Sequence, residues 1–209
     1  MISHKELINL YDKLFDKDVK EGISEFLRQD FDNKDRKYKT DMLWKIDALI
    51  GGVGGYCLPS SSSRNPYPAG IERELYRPLQ YAKEEIDFGY SRVNARYIID
   101  MCGMHLEAAC RLLLMNSILD EFRFSNCTLG KAVHRIDKKK MLDDNIIQAL
   151  YDFVQIYNGS KHEVNQDETG ERLFSTDDAI VVYFATRILG VNILQKLGRV
   201  ESYKVYDIL

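Results

Sequence analysis

Proline is scarce in this chain. Of 209 residues four are proline, and three of them (Pro59, Pro66 and Pro68) fall in one short stretch. A proline inside a helix removes a backbone hydrogen bond and clashes with the preceding turn, at a cost of about 3 kcal/mol. Long proline-free runs on either side of that stretch are therefore free to form helices, and their apolar residues recur at steps of three and four.

The first expected helix opens at a capping box, Ser3 with Glu6, and runs to about Phe15. A second spans about Asp18 to Gln29, with Val19, Ile23, Phe26 and Leu27 in one stripe. A polar connection over 30–39 leads to Thr40, which caps a third helix through Ile46 and Ile50. Residues 51–70, GGVGGYCLPSSSSRNPYPAG, form no regular element in this reading, because glycine, serine and proline each favour turns. The glycines do not make a phosphate-cradling loop: the Lys-Ser/Thr step is missing and a helix, not a strand, precedes them. Ser60 to Ser63 have no partner base nearby in sequence that would make a nucleophile.

Beyond this loop comes a helix from about Arg73 to Phe88, interrupted or started by Pro78, and the longest helix runs from about Ser91 to Phe122. Its stripe of Val93, Tyr97, Met101, Met104, Ala108, Leu112, Met115 and Leu119 is expected to face the core. Thr128 caps a short helix, LGKAVHRIDKKK, and Asp143 or Asp144 caps NIIQALYDFVQIYN, which stops at Asn158-Gly159. After a polar loop over 163–174, Ser175 and Asp178 open an amphipathic helix lined by Ile180, Phe184, Ile188, Val191 and Leu194. The fold class is all-α, an antiparallel helical bundle over 71–200. A helical extension over 1–50, the loop at 51–70 and a tail at 201–209 complete the expected organisation.

The net charge of −3 argues against a chain built as a whole to coat nucleic acid or an anionic membrane, but it permits a local basic patch. No apolar run approaches the roughly 20 residues of a bilayer span, and the charged N-terminus lacks a signal-peptide pattern, so a cytoplasmic setting without a membrane partner is expected. Four cysteines without a CxxC pair fit reduced thiols. Cys102 and His105 lie three apart on a helix, but Glu107 and Cys110 point away from that edge, so metal is not expected and no cofactor is implied. Trp44, Tyr11, Tyr38 and Tyr56 fit a core or a dimer interface better than base stacking.

The basic region is concentrated at Lys131, His134, Arg135, Lys138, Lys139 and Lys140, opposed within it only by Asp137. The first four recur at three- and four-residue steps and share one helical face, as a nucleic-acid-binding surface requires. The same residues also suit a solvated helix end whose lysines complement the dipole.

Three segments between about 91 and 198 together resemble the HEPN family of helical nucleic-acid-associated domains. They are a long helix with His105-Leu-Glu107 and Arg111, the step Thr128–Val133 leading to a helix that ends Asn158-Gly-Ser-Lys161-His162, and a capped helix with Arg187-Ile-Leu-Gly190. The resemblance implies an up-and-down helical bundle, a homodimer, RNA or a protein partner, and a bacterial defence or toxin–antitoxin setting. Catalytic members are metal-independent ribonucleases with an Arg-x4-6-His motif. The histidine moves protons and the arginine stabilises charge on the phosphorane. Here His162 matches the histidine and Asn158 the polar residue, but positions 155–157 hold Gln155, Ile156 and Tyr157, so the arginine is absent. Lys161 offers a charge without the bidentate fork. Asn158, Lys161 and His162 are equally a helix end with favourable dipole contacts. Three function classes follow: a non-catalytic nucleic-acid- or partner-binding domain, a ribonuclease with an altered centre, and a helical scaffold.

Overall fold

The computed structural model describes residues 4–28, 36–50, 71–88, 94–118, 124, 126–162 and 174–197. Among them are eight helices and no strand: α1 Lys5–Leu14, α2 Lys17–Leu27, α3 Arg36–Leu49, α4 Ile71–Phe88, α5 Ala95–Ile118, α6 Leu129–Lys138, α7 Asp144–His162 and α8 Thr176–Lys196. The architecture is all-α, as expected. No described helix is long and apolar enough to cross a membrane. Ser3, the 51–70 segment, most of the 163–174 stretch and the 201–209 tail lie outside the described residues.

Two helices form the centre. The capping box of α8 is present as read: the Ser175 hydroxyl accepts from the Asp178 amide, and the Asp178 carboxylate accepts from the Ser175 amide. From Asp178 to Leu194 only Ile188 and Asn192 are not fully buried. The expected single stripe was too narrow, because α8 is enclosed by α5, α1, α7 and α4. Helix α5 packs most extensively on α8 and α4, then on α6 and α7. Leu75 in α4 meets His105, and Glu85 meets Asn94, so α4 and α5 run antiparallel. Tyr157, Ser160 and Lys161 of α7 meet Gly103, Asp100 and Arg96, so α7 is antiparallel to α5 as well. A Cβ on Gly103 would overlap the Tyr157 ring, which is why the two helices approach so closely there.

The α5 stripe read from the sequence is corrected in part. Leu112 is buried and Met101, Ala108 and Met115 pack against the core, but Tyr97 is 37% and Met104 47% exposed, and Ile98, Cys102, Leu106, Ala109 and Leu113 are buried as well; Val93 and Leu119 lie outside the described residues. This helix is apolar almost all round, so several three-and-four stripes compete, and the positions of α4 and α8 decide which of them is covered.

Three boundaries also differ. Helix α3 begins at Arg36, and Thr40 lies inside it, donating its hydroxyl to Asp87 at 3.3 Å. Helix α4 runs through Pro78 unbroken. Helix α7 continues past Asn158-Gly159 to His162: Gly159 is buried, and Arg96 receives the later end by donating to the Lys161 carbonyl at 3.1 Å.

Helices α1–α3 share the apolar core of the later helices through Leu7, Leu10, Ile23 and Ile46. Lys13 pairs with Asp152 at 2.9 Å, and Asp47 pairs with Arg187 at 3.0 Å. Tryptic cleavage at Arg64 is therefore expected to leave two fragments that co-elute on gel filtration under native conditions. Separate elution would show that the shared core contributes little to holding them together.

Candidate nucleic-acid interface

Helix α6 is short and two-sided. Leu129, Ala132, Val133 and Ile136 are buried, so Lys131, His134, Arg135 and Lys138 all face outward together, as their spacing required. Three cations and His134, spread over the eight residues 131–138, span about 10 Å at 1.5 Å per residue. None of the four makes an ion pair with a described residue. Beside them lies an open groove of ≈ 570 Å³ bounded by Phe124, Cys127, Gly130, Lys131, His134 and Arg135.

What holds α6 in place is not its own cap. Thr128 occupies the cap position, but its side chain makes no capping bond. Glu107 of α5 accepts from the Leu129 amide at 2.9 Å, and Arg111 donates to Glu107 at 2.6 Å. Arg111 Nε also donates to the Cys127 carbonyl at 2.5 Å. The groove floor is thus braced by a buttress 22 residues away from the helix it supports. Partial burial pushes the Cys127 thiol up despite Arg111, Lys131 and Arg135 nearby.

Lys139 and Lys140 behave differently. Lys139 is exposed at the C-cap. Lys140 takes a left-handed backbone, φ 52°, and pairs with Asp137 at 3.1 Å and Asp144 at 3.6 Å. It closes the α6–α7 turn rather than joining the outward-facing row of α6. Asp137 is held below its ordinary range first by Lys140 and then by the Tyr151 hydroxyl, which donates to it at 3.0 Å.

The second group sits at the far end of α7. Asn158 and Lys161 are exposed, and the Lys161 ammonium lies 3.7 Å from the centroid of the Tyr157 ring. His162 is the last residue of α7; its side chain lies outside the described residues. Gly130 faces Val154, one turn before Asn158, so neighbouring helices carry the two groups, and no hydrogen bond or ion pair between described residues joins them. Arg96 was missed by sequence reasoning. It stands on another helix, 65 residues from Lys161 in sequence, and only the antiparallel pairing of α5 and α7 brings it there.

Cys102, His105, Glu107 and Cys110 have other commitments. Both cysteines are fully buried, and burial pushes the Cys102 thiol up to about 12 and the Cys110 thiol higher still. His105 bonds the Leu75 carbonyl at 2.6 Å, and Glu107 holds Arg111 and the α6 N-terminus. No group of three or more metal-ligating side chains occurs among the described residues.

No protein-family model, no curated protein and no solved structure matches the chain. Its function is therefore read from the chemistry of its own surface.

Proposed function

We propose that this is a HEPN-like nucleic-acid-associated protein that binds a phosphate backbone through the outer face of α6 without cleaving it. The observation that carries this reading is the row of Lys131, His134, Arg135 and Lys138, none of which makes an ion pair with a described residue, on one externally braced helix. Lys and Arg contacts to phosphate release counterions, so affinity falls as salt rises, by about 0.7–0.9 in log–log slope for each phosphate neutralised. Phosphate contacts of this kind position a duplex or strand but carry no sequence information.

Fluorescence anisotropy with labelled RNA is expected to show salt-dependent binding. Lys131→Glu/Arg135→Glu should weaken it by at least about tenfold and flatten the slope by about 1.5. Lys140→Glu is a poorer probe, since it also breaks the turn pairs. Wild-type affinity retained in the double variant would sink the proposal.

One observation favours a second reading, metal-independent RNA cleavage. A guanidinium, that of Arg96, meets the Lys161 carbonyl at the end of the helix that carries Asn158, Lys161 and His162. A guanidinium there can stabilise a developing phosphorane charge, and an imidazole can move the proton. Cleavage of RNA in chelator by wild type, lost in both His162→Ala and Arg96→Ala, is the result this reading requires. Binding without cleavage leaves the first reading alone.

A further inference from the structure

Tyr81, Glu84 and Glu85 fall at steps of three and four along α4 and so share one side of it; Asn94 and Tyr97 do the same at the start of α5. Because α4 and α5 run antiparallel, these five residues line one open cleft of ≈ 340 Å³. Both tyrosines are 37% exposed. Short bonds fix the α5 wall: Asn94 accepts from the Tyr97 amide at 3.1 Å, and Glu85 accepts from the Asn94 amide at 3.0 Å.

The charge in the cleft is one-sided. Glu85 answers the positive end of the α5 dipole, which leaves Glu84 to set the field of the opening. Glu84 makes no ion pair or hydrogen bond with a described residue. Lys83 and Arg96, its neighbours on the two helices, are engaged elsewhere: Lys83 pairs with Asp87 at 2.6 Å, and Arg96 donates to the Lys161 carbonyl. Burial first, and then the negative charge of Glu85 and Glu84, push the Tyr97 hydroxyl up.

Two carboxylates by themselves would be only an acidic surface. The two rings beside them change its chemistry, because the face of a tyrosine also attracts a cation. The Arg77 guanidinium already lies 5.9 Å from the centroid of the Tyr81 ring, so this pairing occurs within the chain at the edge of the cleft. A guanidinium suits the set better than an ammonium. Its planar fork pairs with a carboxylate through two hydrogen bonds while its face stacks on a ring, and it gives up water more readily. Free arginine suits it poorly, since its own carboxylate enters the same negative field.

The geometry points to a binding site for an arginine side chain, presented by a peptide segment whose backbone amide replaces the α-carboxylate. The guanidinium lies against the Tyr81 and Tyr97 rings and pairs with Glu84. The site does not rest on nucleic-acid binding by α6, which Glu107 and Arg111 hold about three turns further along α5.

Heteronuclear NMR titration of the full chain with acetyl-Gly-Arg-Gly-amide is expected to shift the amides of 81–85 and 94–97, with a Kd on the order of a millimolar. Acetyl-Gly-Lys-Gly-amide and free arginine should each bind at least about threefold more weakly. Glu84→Gln and Tyr97→Leu should each weaken the arginine peptide at least about fivefold, whereas Tyr97→Phe, which keeps the ring, should not. Both positions are exposed, so helical circular dichroism should not change in any of these variants. No shift at about 10 mM peptide, or undiminished binding by Glu84→Gln, would overturn the site. Equal binding of the lysine peptide would overturn the preference for a guanidinium, and tighter binding of free arginine would overturn the peptide as its source.

Discussion

Removing either member of the Asp47–Arg187 pair is expected to cost about 3–5 kcal/mol, among the largest effects any single substitution will have in this chain. Both side chains are 1% exposed and their charged atoms are 3.0 Å apart, between α3 and α8. Burial raises the Asp47 carboxyl above its ordinary range, outweighing the pull of Arg187. The pair is therefore held at a desolvation cost, and its Coulomb attraction does not make it a net gain. Asp47→Leu removes the carboxylate to which Arg187 donates, and Arg187→Met takes the guanidinium away from a buried carboxylate on which only the weaker pull of Lys83 is then seen. The double variant Asp47→Leu/Arg187→Met removes both charges and is expected to be near neutral, or more stable by about 1–4 kcal/mol. Urea unfolding of the four proteins closes the cycle. Single variants within 1 kcal/mol of wild type would mean that water reaches the pair.

Stability should also fall as the solution is acidified from about pH 6.5 to pH 4. His105 is fully buried, and burial is the main cause that lowers its imidazole to about 4, with Arg187 acting in the same direction. Its hydrogen bond to the Leu75 carbonyl opposes this shift and places the proton of the neutral ring on Nδ1. In the unfolded chain the ring titrates near 6.5. The unfolded state thus binds a proton that the folded state refuses, so this contribution is complete above pH 6.5 and is lost as pH drops toward 4. A shift of two and a half pH units corresponds to roughly 3 kcal/mol. His105→Gln can still donate to the carbonyl but does not titrate. Its stability should change less with pH than that of wild type, by about that amount, while the contribution of Asp47 cancels between the two proteins. Parallel pH curves would contradict the burial of a neutral ring.

Local signals survived into the structure where nothing distant competed with them. The Ser175–Asp178 capping box is complete within four residues, and it forms. The α6 cations lie on one face because a single helical period decides both their grouping and the burial of Leu129, Ala132, Val133 and Ile136. Where a distant residue intervened, local reading went astray. Thr128 does not cap α6 because Glu107 reaches its first amide from α5. Asn158-Gly159 does not end α7 because Gly159 is packed and Arg96 takes a carbonyl further on. The Asp47–Arg187 pair joins residues 140 positions apart, and no short-range pattern marks it. Pattern alone could not choose the buried side of α5, because apolar residues occur on every side and only neighbouring helices break the tie.

The enclosure of α8 has a consequence for how the chain is made. A ribosome releases the protein from its N-terminus, so α1, α4, α5 and α7 all emerge before the helix against which they close. During that interval the apolar faces later covered by Ile180, Phe184 and Leu194 have no partner and are open to chaperones or to one another. At 5–20 residues per second the segment from α7 to the end of α8 takes a few seconds to make. Misfolding of this protein should therefore concentrate in that window, and a stalled message truncated before residue 176 should yield an aggregating product, not a smaller bundle.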